Sequence, residues 1–422
     1  MARSTSSITT ARSTRSSPRA EGPSYDRRVE PFARHWTLDP DVIFLNHGSF
    51  GACPKPVLEA QGELRARLER EPVEFMAREW EPRMDEARTA LARFVGADPE
   101  GLAFVSNATA GVNTVLRSLV FSPGDEILVA DQGYNACQNA ARFAAARSGA
   151  RLVVAHVPFP LARPEEVTDA ILARVTPRTR LALVDHVTSA TGLVLPIGAI
   201  VRGLEARGVD TLVDGAHAPG MVPLDLDALG AAYYTGNCHK WMCTPKGSAL
   251  LYVRKDRRHL VHPLVISHGA NADRSDRSRF RLEFDFTGTQ DPTGWLVIPE
   301  AIRFMGSLLP GGWDELRARN HALALRGRAI LCEALALVAP APETMIGSLA
   351  TVPLPPGQTS NLRPLALDPI MATLFDQHRI EVLASVWPAS PGRILRVSAQ
   401  IYNEQTQYVR LAGALKEILS AA

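Results

Sequence analysis

Short apolar runs, each closed by a polar or small residue, recur through the first two thirds of the chain and alternate with segments of helical period. Residues 42–45, 101–105, 126–131, 152–157 and 181–184 read as strands. Between them, residues 54–70 place Val57, Ala60, Leu64 and Leu68 on one stripe. Residues 82–95, 112–120 and 164–175 have the same helical texture. Strands and helices in this alternation predict an α/β fold with a mostly parallel, doubly wound sheet. From Pro299 a helical region runs to about Val338, after which the texture changes. Pro-rich segments at 340–342 and 353–356 precede a helix near 369–379, strands at 380–387 and 394–398, and a closing helix. This reads as a smaller α+β C-terminal domain. The expected division is a tail over 1–24, an N-terminal segment over 25–55, a large domain over 56–298 and a small domain over 299–422.

Composition removes several classes of function. With 46 basic and 44 acidic residues and 46% hydrophobic content, the chain implies no nucleic-acid electrostatics and holds enough apolar mass for a large core. No apolar run approaches the roughly 20 residues that span a bilayer. The five cysteines, Cys53, Cys137, Cys238, Cys243 and Cys332, form no CxxC pair. They fit reduced thiols of a cytoplasmic protein, and no metal site is expected. Residues 1–20 are rich in Arg, Ser and Thr without an acid; Ile8 is their only large apolar side chain after Met1, so they read as a disordered tail rather than a transit peptide.

The chemistry concentrates in residues 209–253. An apolar run ends in Asp214, a second short run ends at Gly236, His239 and Lys240 follow at once, and residues 249–253 form a third run. Such a pattern sets an acid and a lysine at one edge of a sheet, where α/β proteins bind ligands. A lysine among small and aromatic residues is desolvated and becomes a nucleophilic amine. An ordinary surface lysine in a β-turn is the plain alternative.

Asp-Gly-Ala-His at 214–217, with His239-Lys240 closing the next strand, resembles the class V aminotransferase family of pyridoxal-phosphate (PLP) enzymes. The phrases LNHGSFG at 45–51 and LRVSAQIYN at 395–403 are similar to its isopenicillin N epimerase-like branch. The resemblance covers about Leu38 to the C-terminus and implies a fold type I enzyme. It implies that Lys240 holds PLP as a Schiff base and that Asp214 pairs with the pyridinium nitrogen. A fixed carboxylate keeps that nitrogen protonated and the ring an electron sink, while the lysine serves as base and acid in turn.

Further roles follow from the same likeness. Ala108 and Thr109, at a strand-to-helix junction suited to an anion, match the loop that grips the phosphate, with Asn237 and His239 completing the cradle. Tyr134 matches the aromatic ring stacked on the cofactor. Ser189 would contact its phenolic oxygen, and His217 would be a second ring contact. Asn46 and His47 lie in the segment that helps hold substrate over the site. Arg396 matches the clamp for the substrate α-carboxylate, a task for a bidentate guanidinium. Thr289 belongs to a Gly-Thr element that reaches the partner's phosphate, which implies a homodimer with sites at the interface.

One departure bears on activity. Residues 333–422 contain no cysteine, so the persulfide chemistry of the desulfurase relatives is not expected. The leading expectation is an enzyme acting at Cα of an amino acid or amino-acyl peptide, as an epimerase. Lys240 would serve one face of the carbanion and Tyr134 or His47 the other. A C–S lyase on a cysteine conjugate or sulfoxide is the alternative, ahead of an aminotransferase or a non-catalytic scaffold.

Overall fold

A computed structural model describes residues 31–357 and 368–420; the predicted tail over 1–24 lies outside them. Strand β1 is Ile43–Phe44; β2 to β8 are Leu102–Val105, Glu126–Ala130, Arg151–Ala155, Thr179–Asp185, Asp210–Asp214, Tyr233–Asn237 and Ala249–Val253; β9 to β12 are Leu349–Leu354, Ile380–Glu381, Leu383–Val386 and Arg393–Ser398. Seven of them form one sheet in the order β2-β8-β7-β6-β5-β3-β4. β4, β3, β5, β6 and β7 run parallel, and β8 runs antiparallel to both of its neighbours. The expected doubly wound α/β sheet is therefore present. Its strands are nearly continuous apolar runs because helices cover both faces. Two apolar clusters form, one on Leu128, Val184, Val213 and Leu250, the other on Ile127, Leu183, Leu212 and Leu251. The alternation of side chains along each strand assigns these neighbours to opposite faces.

A second, antiparallel sheet has the order β11-β12-β9, and its apolar face packs into a separate cluster containing Leu395, Val397 and Tyr408. β1 pairs in parallel with β10, Ile43 opposite Ile380, so the N-terminal segment is fastened to the C-terminal unit. Ser398 N–H donates to the Leu45 carbonyl at 2.8 Å and extends that junction.

Several boundaries differ from expectation. The helix assigned to 112–120 runs from Ala108 to Ser118, because Asn107 caps it by accepting the Ala110 N–H at 2.9 Å. The segment after β1 forms a short helix, His47–Phe50, closed by Gly51 at φ +70°. The helical region after Pro299 is two helices, Ile298–Gly306 and Gly312–Ala334. The run at 380–387 divides between β10 and β11, which lie in different sheets.

Candidate active site

The carboxyl ends of β5, β6 and β7 deliver Asp185, Asp214 and Asn237 to one edge of the large sheet. Parallel pairing sets Asp185 directly opposite Asp214. Asp214 is buried, and each oxygen has a donor: the Ala216 N–H reaches Oδ1 at 3.0 Å and the Cys137 thiol reaches Oδ2 at 3.0 Å. Burial, then the charge of Asp214, pushes the Asp185 carboxyl well above the usual carboxylate range. Burial and the same carboxylate push the Cys137 thiol up, so Cys137 is a neutral donor. The carboxylate of Asp214 is thus held at a fixed angle at the sheet edge.

Lys240 follows β7 in a tight turn. Its Nζ lies 3.0 Å from His217 Nε2, and the Trp241 indole N–H donates to His217 Nδ1 at 3.4 Å. Burial, then Arg396, lowers the Lys240 amine to about 7, although Asp214 and Asp185 pull in the opposite direction. His217 falls well below the usual imidazole range, first by burial and then through the charges of Lys240 and Arg396. Gly51 lies against the backbone of this turn. A Cβ there would come within 2.9 Å of Lys240 Cα, and the left-handed φ is itself costly for other residues.

Arg396 comes from the other unit. On β12, Leu395 and Val397 face the C-terminal core, and Arg396 points the opposite way. The residue is 2% exposed. Nη1 donates to the Ser189 carbonyl, Nη2 donates to Ser49 Oγ at 3.1 Å, and Nε is buried without an acceptor. No acid pairs with it among the described residues. Burial lowers it to about 10, which leaves it charged at neutral pH. A buried, charged, under-satisfied guanidinium is a receptor for an anion. Tyr134, 43% exposed, precedes the helix Asn135–Ser148. Its hydroxyl is raised by burial, then by Cys137 and Asp214, and lowered by Arg396, which locates it among these groups.

The remaining predicted residues are less uniform. Asn237 Oδ1 accepts the Ala108 N–H at 2.8 Å, so these two cradle candidates engage each other and Thr109 is left at the helix start. His239 Nδ1 lies 2.9 Å from the Ser248 carbonyl, and burial lowers the ring to about 4. Ser189 meets Arg396 through its carbonyl. Thr289 is exposed, and no hydrogen bond joins it to this site among the described residues.

His47 has a partner on each ring nitrogen. It is 0% exposed, with Nδ1 2.7 Å from the Tyr402 hydroxyl and Nε2 3.0 Å from the Lys240 carbonyl. Burial lowers it to about 3. Both nitrogens are thus engaged, and through the Lys240 carbonyl the ring also holds the lysine turn. Asn46 is likewise engaged, its amide donating to Glu381 Oε1 at 3.3 Å and its Oδ1 accepting from Ser49 Oγ at 2.6 Å. Sequence reasoning missed Cys137, Asp185 and Trp241. The proximity of Trp241 to Lys240 and of Cys137 to Tyr134 were the available signals.

An amine of near-neutral pKa, a fixed buried carboxylate, a helix start and an unpaired arginine form a donor set that fits PLP: amine for aldehyde, carboxylate for ring nitrogen, helix N-terminus for phosphate. Among the described residues no group of three or more His, Cys, Asp or Glu could hold a metal ion, and no helix is long and apolar enough to cross a membrane.

Residues 50–407 match the family described as Aminotransferase class-V. The chain is 38% identical over 395 residues to an isopenicillin N epimerase of Amycolatopsis lactamdurans, covering 90% of this chain and 96% of that protein. It is 30% identical to a probable chloroplastic L-cysteine desulfhydrase of Arabidopsis thaliana, covering 95% and 88%. In fold it resembles a cystine C–S lyase solved with its product cysteine persulfide, with TM-score 0.74, 22% identity, and 92% and 98% of the two chains covered.

Proposed function

Since the chain belongs to the class V aminotransferase family, we propose that it is a PLP-dependent enzyme acting at Cα of an amino acid or amino-acyl peptide, of isopenicillin N epimerase type. Bound PLP supplies an aldehyde that bonds to amines and a ring that accepts electron density when Cα loses its proton. Lys240 would hold it and move the proton on one face of Cα, a task suited to an amine near pH 7. Asp214, fixed by Ala216 and Cys137, would keep the ring nitrogen protonated. Thr109 at the helix start and His239 would bind the phosphate. Asn237 would act through Ala108 by setting that helix start. Tyr134 would cover the ring and, with its hydroxyl near Arg396, serve the second face.

The observation that carries the reading is Arg396. Its charge is buried without a counter-charge, and its Nε–H lacks an acceptor. Such a site selects a carboxylate-bearing substrate and orients its Cα toward Lys240. Thr289, exposed and without a hydrogen bond to these groups among the described residues, is assigned to the partner's phosphate in a cytoplasmic homodimer.

A second reading, β-elimination from a cysteine conjugate or sulfoxide, is favoured by the desulfhydrase relative. Incubation in D₂O with cysteine conjugates and aminoadipyl-type peptides separates the two. An epimerase deuterates Cα, inverts its configuration and leaves carbon–sulfur bonds intact. Stoichiometric pyruvate without an inverted product would establish the lyase instead.

A further inference from the structure

Both nitrogens of His217 have neighbours of defined hydrogen-bonding character. Lys240 Nζ lies 3.0 Å from Nε2, and the Trp241 indole N–H points at Nδ1 from 3.4 Å. An indole N–H can only donate, and a neutral imidazole has one donor and one acceptor nitrogen. Nδ1 must therefore accept, which puts the ring's single proton on Nε2. We propose that Trp241 locks His217 in its Nε2–H tautomer, so that His217 donates to Lys240 and presents the lysine as an uncharged amine. An ammonium has three donors and no lone pair, and here it would face an N–H. The inference rests on Lys240 as the cofactor-holding amine and adds Trp241 as a positioning residue.

The indole is enclosed in the core. Trp241 is 1% exposed and tilts against the His47 ring, centroids 4.8 Å apart. The groups facing the pair from other elements are Arg396 on β12, Asp214 on β6, Asp185 on β5, Cys137 on the helix Asn135–Ser148 and His47 on the short N-terminal helix, joined by His239 from the same turn. Burial and the cation disfavour a protonated lysine, whereas the carboxylates favour one. Their balance leaves the amine close to half-protonated at neutral pH. In that regime one hydrogen bond that accepts only the neutral amine decides the outcome. A shift of one pKa unit corresponds to about 1.4 kcal/mol, the size of a single hydrogen bond.

The test uses the full chain labelled with ¹⁵N-histidine, with and without PLP. Long-range ¹H–¹⁵N correlation spectra give the tautomer, and the signals absent from His217→Gln identify the ring. The wild type is expected to show protonated Nε2 and unprotonated Nδ1 throughout roughly pH 6 to 8. Trp241→Phe keeps the aromatic volume and removes the donor, so Nδ1–H signals are expected to appear. If the Lys240 titration then rises by about one unit, the neutral amine at pH 7 falls about fivefold, and PLP uptake slows by that factor. Raising the pH to about 9 restores it; a purely structural defect would slow uptake equally at every pH. A wild-type ring carrying Nδ1–H or two protons would overturn the proposal, as would a Trp241→Phe protein with unchanged tautomer or pH profile. The wild-type tautomer is read without turnover, so the result stands apart from any failure of the assigned reaction.

Discussion

The substitution Arg396→Gln keeps a polar amide in the buried slot on β12 and removes its charge. Of the five guanidinium N–H groups, two are engaged by the Ser189 carbonyl and Ser49 Oγ. The Nε–H and the second hydrogens of Nη1 and Nη2 remain for a ligand, in a fork that matches a carboxylate. Two charge-assisted hydrogen bonds at about 1.5–3 kcal/mol each give roughly 3–6 kcal/mol. That range corresponds to roughly 10²–10⁴ in kcat/KM. The arginine is already desolvated in the folded protein, so binding does not incur that cost again. The assay is solvent deuterium uptake at Cα as a function of substrate concentration, with an α-carboxylate substrate and its α-carboxamide analogue. The variant is expected to lose activity on the carboxylate mainly through KM, and the wild-type preference for carboxylate over amide should shrink to within about tenfold. An unchanged KM, or an equal loss on both substrates, would refute the assignment of Arg396 as the anion receptor.

Lys240→Ala is expected to abolish the visible absorbance of covalently held PLP together with turnover, whereas Lys246→Ala, six residues on, should keep the band; a spectrum unchanged in Lys240→Ala rejects the assignment. Asp214→Ala is expected to lower kcat by orders of magnitude while far-ultraviolet circular dichroism stays native, and near-normal turnover would contradict it. Acid stability follows from the buried imidazoles. His47, His186 and His217 titrate at about 3, about 4 and well below the ordinary value in the folded chain. Unfolded histidines take up protons below about pH 6.5, so the stability these residues contribute is present above that pH and is lost as the pH falls. The three together give a slope of up to roughly 4 kcal/mol per pH unit near pH 5. Urea unfolding at about pH 6.5 and 5 measures it, and a flat profile would show that these rings are not held neutral.

The large sheet was legible because its strands are apolar runs that end in polar residues. Asp214 and Asn237 fall at strand ends that sequence alone locates, and Lys240 in the turn just after one. The C-terminal unit was legible in outline, although one apolar run proved to serve two sheets, since nothing local marks where a strand changes partners. The helix start at Ala108 was misplaced because Ser-Asn-Ala-Thr-Ala lacks the apolar period that identifies helices. The part of His47 was hidden for another reason. Its partner Tyr402 lies 355 positions away, and only folding supplies the environment that removes its charge. The same applies to Arg396, whose lack of a counter-charge is a property of the assembled site.

The junction of β1 with β10 has a consequence for biogenesis. Residues 43–51 pack between the lysine turn and the strand that carries Arg396. They are translated early, yet their partners Ile380, Ser398 and Tyr402 leave the ribosome hundreds of residues later. The nascent chain can complete the seven-stranded sheet, with Asp214 and Lys240 in place, while β1 and the His47 helix still have no partner strand. Until synthesis reaches Tyr402, that segment lacks the strand and the ring it packs against in the folded chain. Ribosome-bound chains stalled before Ile380 should therefore expose residues 43–50 to protease, and those extended past Tyr402 by the length of the exit tunnel should protect them.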